Sequence, residues 1–381
     1  MQSLTPDTAR ALYPHIADGR IFFNHASISP ISLPVRESID AYLNHRMVTG
    51  IDDYKIVLGY LSKAKNGLAG LLNCTSDRIA FIDNTTNAFN NLVQSLHWSR
   101  GDRVIINDIE FPANVYPFLN LKSKGVEIDI VKSINGKVLL EDLESVITPK
   151  TKLLSISFVQ FLTGFRADLE AIGNLCKKHG IIFSVDAIQG LGALSLDVKR
   201  CNIDYLAGGT QKWLMGLMGL SYLYVTEELQ SRMTPAYAGW LSVVDAWNLL
   251  DYNLTPLPTA DAFQTGTVTV IGAVATGTAI DIFNSVGIEN IEQRIVSNTA
   301  YFINELAEVG FPPLLFGAPL NELSGIVTVK HPSGEKLFNF LSERKVHLAY
   351  REGFLRFSPH YYNTIAEIDI VLSLIKEFEL E

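Results

Sequence analysis

The sequence predicts an α/β protein: a mostly parallel seven-stranded sheet with helices on both faces, followed by a smaller α+β C-terminal domain. Short β-branched runs alternate with amphipathic segments from about residue 54 to residue 225, the pattern of a parallel sheet covered on both sides. After about residue 260 the pattern turns to long helices with a few short strands. At 381 residues, 48% apolar and 19% charged, the chain has ordinary globular composition, which excludes disordered and collagen-like readings.

Seven runs read as strands: 78–82 (RIAFI), 103–107 (RVIIN), 126–131 (VEIDIV), 153–159 (LLSISFV), 181–185 (IIFSV), 203–208 (IDYLAG) and 221–225 (SYLYV). Between them, 113–124 and 167–179 carry apolar residues at three- and four-residue spacing and read as helices. Beyond the prolines at 256 and 258, residues 288–306 place Ile288, Ile291, Ile295, Phe302 and Leu306 on one helical face. A last helix starts at Thr364, where Thr364 and Glu367 form a capping box. The expected division is a large α/β domain over 16–260 and a small α+β domain built from 1–15 and 261–381.

The net charge is −9 with no dense basic tract, so a nucleic-acid partner is not expected. Three cysteines, none at Cys-x-x-Cys spacing, exclude a disulfide scaffold and suggest no metal or redox pair. The N-terminal segment lacks a basic leader with an apolar stretch. The longest uncharged segment, 262–280, holds five Thr, three Gly and a Gln and makes a poor membrane span. A soluble, cytoplasmic protein is expected.

In such a sheet, ligands bind beyond the carboxyl ends of the strands. Asn84, Thr85, Thr86 and Asn87 follow the first strand and open a helix; free amides, the helix dipole and the threonine hydroxyls suit a phosphate, although plain capping is the simpler reading of this loop alone. Phe111 follows the second strand, where a ring could lie on a flat heterocycle or merely cap the core. Asp186 ends a strand that reads as buried, and a buried carboxylate needs a protonated partner. Lys212 stands between Gly208, Gly209 and the apolar run 213–220, where a poorly solvated amine favours imine formation with an aldehyde. Each loop alone has an ordinary structural reading. Together they supply a phosphate anchor, a ring face, a partner for a pyridinium nitrogen and an amine for an aldehyde, the contacts pyridoxal 5'-phosphate requires.

With those residues in place, the chain resembles the class V aminotransferase-like, fold-type I pyridoxal-phosphate enzymes, the group that holds cysteine desulfurases, selenocysteine lyases, isopenicillin N epimerase-like proteins and kynureninases. The resemblance runs from Phe22-Phe23-Asn24-His25-Ala26 to Arg356-Phe357-Ser358-Pro359-His360-Tyr361-Tyr362-Asn363-Thr364 and is most specific at Val185-Asp186-Ala187-Ile188-Gln189 and Gln211-Lys212-Trp213-Leu214. It implies that Lys212 joins the cofactor aldehyde, Asp186 faces the pyridinium, Gln189 meets the ring hydroxyl, Thr85 and Thr86 hold the phosphate, and Phe111 stacks on the ring beside Gln211. It also implies a homodimer in which Gly266 and Thr267 reach the neighbouring subunit's phosphate. Arg356 matches the substrate-carboxylate arginine, for which a bidentate guanidinium is the natural group. Asn24 and His25 are candidates for the substrate pocket, with Tyr237, Trp240 and Arg351 behind them.

Departures from the family bear on the reaction. Desulfurases carry a cysteine shortly before the substrate arginine; here residues 349–355 contain none, and no cysteine follows Cys201. Phe111 and Gln211 stand where desulfurases have histidines, and Phe161, beside Gln160, stands near their asparagine. Lys212 is left as the obvious acid–base group. The expected activity is a reaction at Cα of an amino acid, with transamination leading; a C–S or Cβ lyase or an epimerase without a catalytic cysteine is the alternative. A nucleotide-dependent oxidoreductase finds no Gly-x-Gly-x-x-Gly after any strand. A regulatory protein that binds the cofactor without turnover is the non-enzymatic rival.

Overall fold

The computed structural model describes residues 4–380; residues 1–3 and 381, part of the expected small domain, lie outside them. Seven strands form the large sheet: β1 (Ile79–Ile82), β2 (Arg103–Asn107), β3 (Glu127–Val131), β4 (Thr151–Ser157), β5 (Ile182–Asp186), β6 (Tyr205–Gly209) and β7 (Ser221–Val225). Their order is β1-β7-β6-β5-β4-β2-β3, and only β7 runs antiparallel to its neighbours. The mostly parallel sheet expected from the sequence is therefore present. Its strands begin or end within two residues of the expected runs, and β5 extends one residue further, making Asp186 its last member.

Side-chain alternation along the strands divides the core between the two faces. Ile79, Phe81, Ile105, Leu154, Ile156, Phe183, Val185, Leu206, Tyr222 and Tyr224 pack with the helices Tyr54–Leu72, Leu169–His179 and Val270–Val286. Ala80, Val104, Ile106, Leu153, Ile182, Tyr205, Ala207, Leu223 and Val225 pack on the other side, under Phe89, Leu92 and Val93 of the helix Thr85–Ser95 and under Phe118 and Leu121. The segment 113–124 is not the single helix its spacing suggests. It breaks into the 3-10 turn Pro112–Asn114, the short helix Tyr116–Leu119 and the 3-10 stretch Asn120–Lys124, because Pro112 and Pro117 each lack an amide donor.

The uncharged stretch 262–280 becomes the 3-10 turn Ala260–Phe263 and most of the helix Val270–Val286, which is buried against Tyr54–Leu72 and Leu33–Val48. No single helix among the described residues is long and apolar enough to cross a membrane. Beyond it, the helix Ile288–Glu308 precedes a three-stranded antiparallel sheet in the order Ala349–Arg351, Phe354–Phe357, Val327–Lys330. Thr364 and Glu367 cap the last helix, Ile365–Leu380, through Thr364 N to Glu367 Oε2 at 2.9 Å and Glu367 N to Thr364 Oγ1 at 3.3 Å. The N-terminal segment is tied to this C-terminal part: Ile21–Phe22 pairs in parallel with Val346–His347, and Asn24 bridges Ser358. That pairing carries residues 24–29 across the carboxyl ends of the large sheet to the lysine loop, where Ser29 N donates to Gln211 O at 2.9 Å.

Candidate active site

Lys212 sits in the turn between β6 and β7, and the turn is pinned from several directions. Thr210 Oγ1 donates to the carbonyls of Leu217 and Leu220 at 2.8 and 2.9 Å, Gly216 N donates to Thr210 O at 2.7 Å, and the Ser29 hydroxyl donates to Lys212 O. Trp213 is fully buried, which removes the exposed apolar patch a surface turn would have shown. Its indole donates to Gln189 Oε1 at 2.8 Å, and its carbonyl accepts from His360 Nε2 at 3.0 Å. Gly192, at φ +97°, passes under this turn: a Cβ there would lie 2.4 Å from Trp213 O.

The Lys212 ammonium lies 5.5 Å from the centre of the Phe111 ring. Burial draws its pKa down to about 8; Asp186 opposes the shift, while Arg356 and Arg351 add to it. Asp186 is 1% exposed, and its Oδ1 accepts from Ile188 N at 2.9 Å. Among the described residues no donor reaches its Oδ2. Burial pushes the Asp186 carboxyl up to about 7, and the neighbouring Glu110 adds to the rise, against the Ile188 amide and Lys212. Phe111, Lys212 and Asp186, expected from three different loops, are thus brought to one place.

Glu110, the residue before Phe111, carries no signal of its own in the sequence. It is buried and accepts from Asn107 Nδ2 at 2.6 Å, Asn114 Nδ2 at 2.9 Å, Ser157 N at 2.8 Å, Gln160 Nε2 at 2.9 Å and the Ser157 hydroxyl. Five donors satisfy a buried carboxylate that has no ion-pair partner among the described residues. Gln160 is fully buried and turns its amide nitrogen to Glu110, leaving Gln160 Oε1 without a donor.

Arg356, on the strand Phe354–Phe357, is 1% exposed and forms no ion pair among the described residues. Its Nη1 donates to Phe161 O at 2.7 Å and its Nη2 to Ser27 Oγ at 2.8 Å, while Nε has no partner. Burial, with Arg351 close by, lowers its pKa to about 10. Asn24 Oδ1 is another buried atom without a partner.

His25 does not have the placement expected of it. It is fully buried, its Nδ1 donates to Ser358 O at 2.9 Å, and its Nε2 accepts from the Tyr362 hydroxyl at 2.9 Å. No ring nitrogen is left for a substrate, and burial holds its pKa well below the usual range. Gln189 is likewise engaged, with Oε1 on Trp213 and Nε2 donating to Ala26 O at 3.0 Å, so one amide hydrogen is left for a ring hydroxyl. Gln211 is half-buried next to Lys212.

At the start of the helix Thr85–Ser95, Asn84 Oδ1 takes the Asn87 amide at 2.8 Å. Thr85 is buried and Thr86 exposed, and their amides and hydroxyls make no hydrogen bond to the described residues. Gly266 and Thr267 line a different hollow, of about 550 Å³, together with Asp83, Asn87, Tyr237 and Gln264. Neither this hollow nor one of about 650 Å³ bordered by Phe158, Arg166, Ser195 and Glu292 includes Lys212. Tyr237 and Trp240 are exposed.

A family model described as aminotransferase class-V matches residues 22–371. An uncharacterized aminotransferase, YcbU, of Bacillus subtilis is 27% identical over 95% of this chain and 95% of its own. A probable cysteine desulfurase of Methanothermobacter thermautotrophicus is 28% identical over 98% of both chains. Among solved structures, the apo cysteine desulfurase of Thermococcus onnurineus NA1 superposes with a TM-score of 0.90 at 23% identity, covering 99% of each chain. A complex of the cystine C–S lyase C-DES with its product cysteine persulfide gives a TM-score of 0.87 at 22% identity, over 95% of this chain and 98% of that one. These two likenesses establish the fold. With the family match spanning most of its length, the chain belongs to the class V aminotransferase family.

Proposed function

We propose that the protein is a pyridoxal-phosphate-dependent enzyme that acts at Cα of an amino acid and that its reaction is transamination. The observation that carries this reading is Arg356: a buried guanidinium without a carboxylate, near Lys212, is a site for the α-carboxylate of a small substrate. The residues present fit the cofactor. Asp186, with one oxygen free of protein donors, suits a protonated ring nitrogen; the Phe111 ring suits its face; and the free amides and hydroxyls of Thr85 and Thr86 suit the phosphate. Bound there, the cofactor supplies an aldehyde that condenses with amines and a ring that withdraws electrons from Cα.

The chain's residues would do the rest. Arg356 holds the substrate carboxylate and so orients the Cα–H bond. With its pKa drawn down to about 8, Lys212 keeps part of its amine neutral near neutral pH, and its Nζ would take the Cα proton and hold it for return to the substrate side of the site. Asp186 would hold a protonated ring nitrogen through its open carboxylate oxygen. Phe111, Phe161 and Gln211 carry no proton in this range, and His25 and His360 are committed to hydrogen bonds within the protein. A single base suits transamination better than epimerisation, which needs a second base on the opposite face.

The three cysteines do not supply a persulfide carrier. Cys74 is half-buried, Cys176 and Cys201 are buried, and burial raises their thiols to about 11, 12 and 11. Three free cysteines also support a reducing, cytoplasmic setting. A homodimer is part of the proposal. Trp247, Leu250, Tyr252 and Leu254 project from segment 237–257, Leu250 and Tyr252 being 85% and 89% exposed, and a second copy would cover them. The division into 16–260 and 1–15 with 261–381 is proposed too, with the helix Val270–Val286 packed on the larger unit.

The test is a half-reaction: cofactor-loaded protein is mixed with single amino acids and no oxo acid. Transamination yields one equivalent of oxo acid per site and leaves the cofactor as its amine. Continuous release of ammonia would show a lyase instead, loss of optical purity an epimerase, and no change with any amino acid a regulatory binder.

A further inference from the structure

Arg351 is the second cation at this site, and the proposed function leaves it without a task. It ends the strand Ala349–Arg351, is exposed, and forms no ion pair among the described residues. Arg10, Arg103, Arg166 and Arg294 all rest on carboxylates. The antiparallel register sets Arg351 against Phe354 and Ala349 against Arg356, so Arg351 lies two residues further toward the hairpin tip than the residue facing Arg356. The tip is tight: Glu352 and Gly353 both have positive φ, 51° and 79°, in the compact two-residue connection.

Both guanidinium groups converge on one hydroxyl. Ser27 Oγ accepts from Arg356 Nη2 at 2.8 Å and from Arg351 Nη2 at 3.5 Å. Those two bonds use the lone pairs of the oxygen, and no acceptor among the described residues takes its hydrogen. The result is two positive charges, one O–H donor and the unpartnered Nε of a buried arginine, with no carboxylate among the described residues in ion-pair contact with either guanidinium. One α-carboxylate compensates one guanidinium and leaves the other uncompensated.

We propose that the substrate is an amino acid with an anionic side chain, its α-carboxylate on Arg356 and its side-chain anion on Arg351. This rests on the proposed function for the α-carboxylate and adds the substrate class. The pocket wall beside it is the edge-to-face pair of Phe111 and Phe161, with centroids 5.3 Å apart, which offers apolar contact to the methylene carbons between the two anions. Arg351 is a specificity-determining residue in this account, and its exposure places the second anion at the mouth of the site.

The experiment has a binding arm and a reaction arm. Calorimetric titration of the full-length, cofactor-loaded protein with succinate and with butyrate compares two unreactive acids that differ in the second carboxylate. Succinate is expected to bind about ten- to a hundredfold more tightly, the range for one charge-assisted contact. Arg351→Met removes that preference, and Arg351→Lys restores part of it. In the reaction arm, kcat/KM is compared within the pairs aspartate and asparagine, glutamate and glutamine, with cysteate as a sulfonate probe. The acidic members are preferred through KM, and Arg351→Met lowers the preference about tenfold or more. Equal affinity for succinate and butyrate overturns the proposal. So does an equal loss for acidic and neutral amino acids in Arg351→Met, which would place Arg351 on the α-carboxylate. Should succinate be preferred while no amino acid reacts, the proposed function fails and the dianion site stands.

Discussion

Asp186 and Glu110 are two buried carboxylates at the carboxyl ends of neighbouring parts of the sheet, and only Glu110 is saturated with donors. Asn107, Asn114, Ser157 and Gln160 supply five hydrogen bonds to it, whereas among the described residues Asp186 has the Ile188 amide alone. Glu110 is therefore a carboxyl held within a polar cage, and Asp186 is the acid left open to a protonated partner.

Replacing Glu110 by Gln tests that relationship. An amide presents two hydrogens to a cage made of donors, leaving at least one buried donor unpaired, and stability is expected to fall by about 1–3 kcal/mol in chemical denaturation. Removing the like charge also lowers the Asp186 pKa, so the acid limb of the pH–stability curve moves to lower pH. An unchanged acid limb would separate the two carboxylates electrostatically.

The pH dependence of the cofactor-free protein follows from Asp186 and Lys212. Asp186 has a folded pKa of about 7, above that of an unfolded aspartate, so between roughly pH 4 and 7 the folded state binds more protons and stability falls as pH rises. Lys212 has a folded pKa of about 8, below that of an unfolded lysine, so between about 8 and 10.5 the unfolded state binds more protons and stability rises with pH. Their combined contribution is least favourable between about 7 and 8. Asp186→Asn is expected to flatten the acid limb and Lys212→Met the alkaline limb, read by urea midpoints at pH 5, 7.5 and 9.5.

Arg356→Lys keeps a charge but loses the planar fork that reaches Phe161 O and Ser27 Oγ. KM for the amino acid substrate is expected to rise roughly 30-fold or more, the scale for breaking a buried charged contact, with a smaller change in kcat. A change confined to kcat would place Arg356 in the chemistry rather than in carboxylate binding.

The cysteines should be dispensable. With thiols at about 11, 12 and 11, native protein is expected to resist iodoacetamide at pH 7.5, and the Cys74→Ser, Cys176→Ala, Cys201→Ala variant to retain its activity. Loss of sulfur release from cysteine in that variant, with transamination intact, would return a persulfide carrier to the mechanism.

Much of this arrangement was legible because it rests on local chemistry. β-Branched runs marked the strands, and in a parallel sheet each strand end is a place where a functional side chain emerges, which is how Phe111, Asp186 and Lys212 were expected together. The apolar run 213–220 pointed to a poorly solvated lysine, and Trp213 is indeed fully buried. Glu110 could not be read in this way: its meaning comes from Ser157 and Gln160, about 50 positions away, and a lone acid in a loop carries no such signal. Ser27 depends in the same manner on the parallel pairing of Ile21–Phe22 with Val346–His347. His25 was misplaced because its motif marks a segment near the site, while the ring itself turns to Ser358 and Tyr362. In 113–124 Pro117, with Pro112 just before the segment, outweighed the apolar spacing.

The central claim is that Lys212 is the amine that holds the cofactor, and the most direct measurement is to trap that bond. Protein incubated with pyridoxal phosphate is reduced with borohydride, digested and mapped by mass spectrometry, wild type beside Lys212→Ala. The account predicts one phosphopyridoxyl adduct per chain, on the peptide containing Lys212, and none in the variant. An adduct on another lysine, or equal labelling of both proteins, would contradict it.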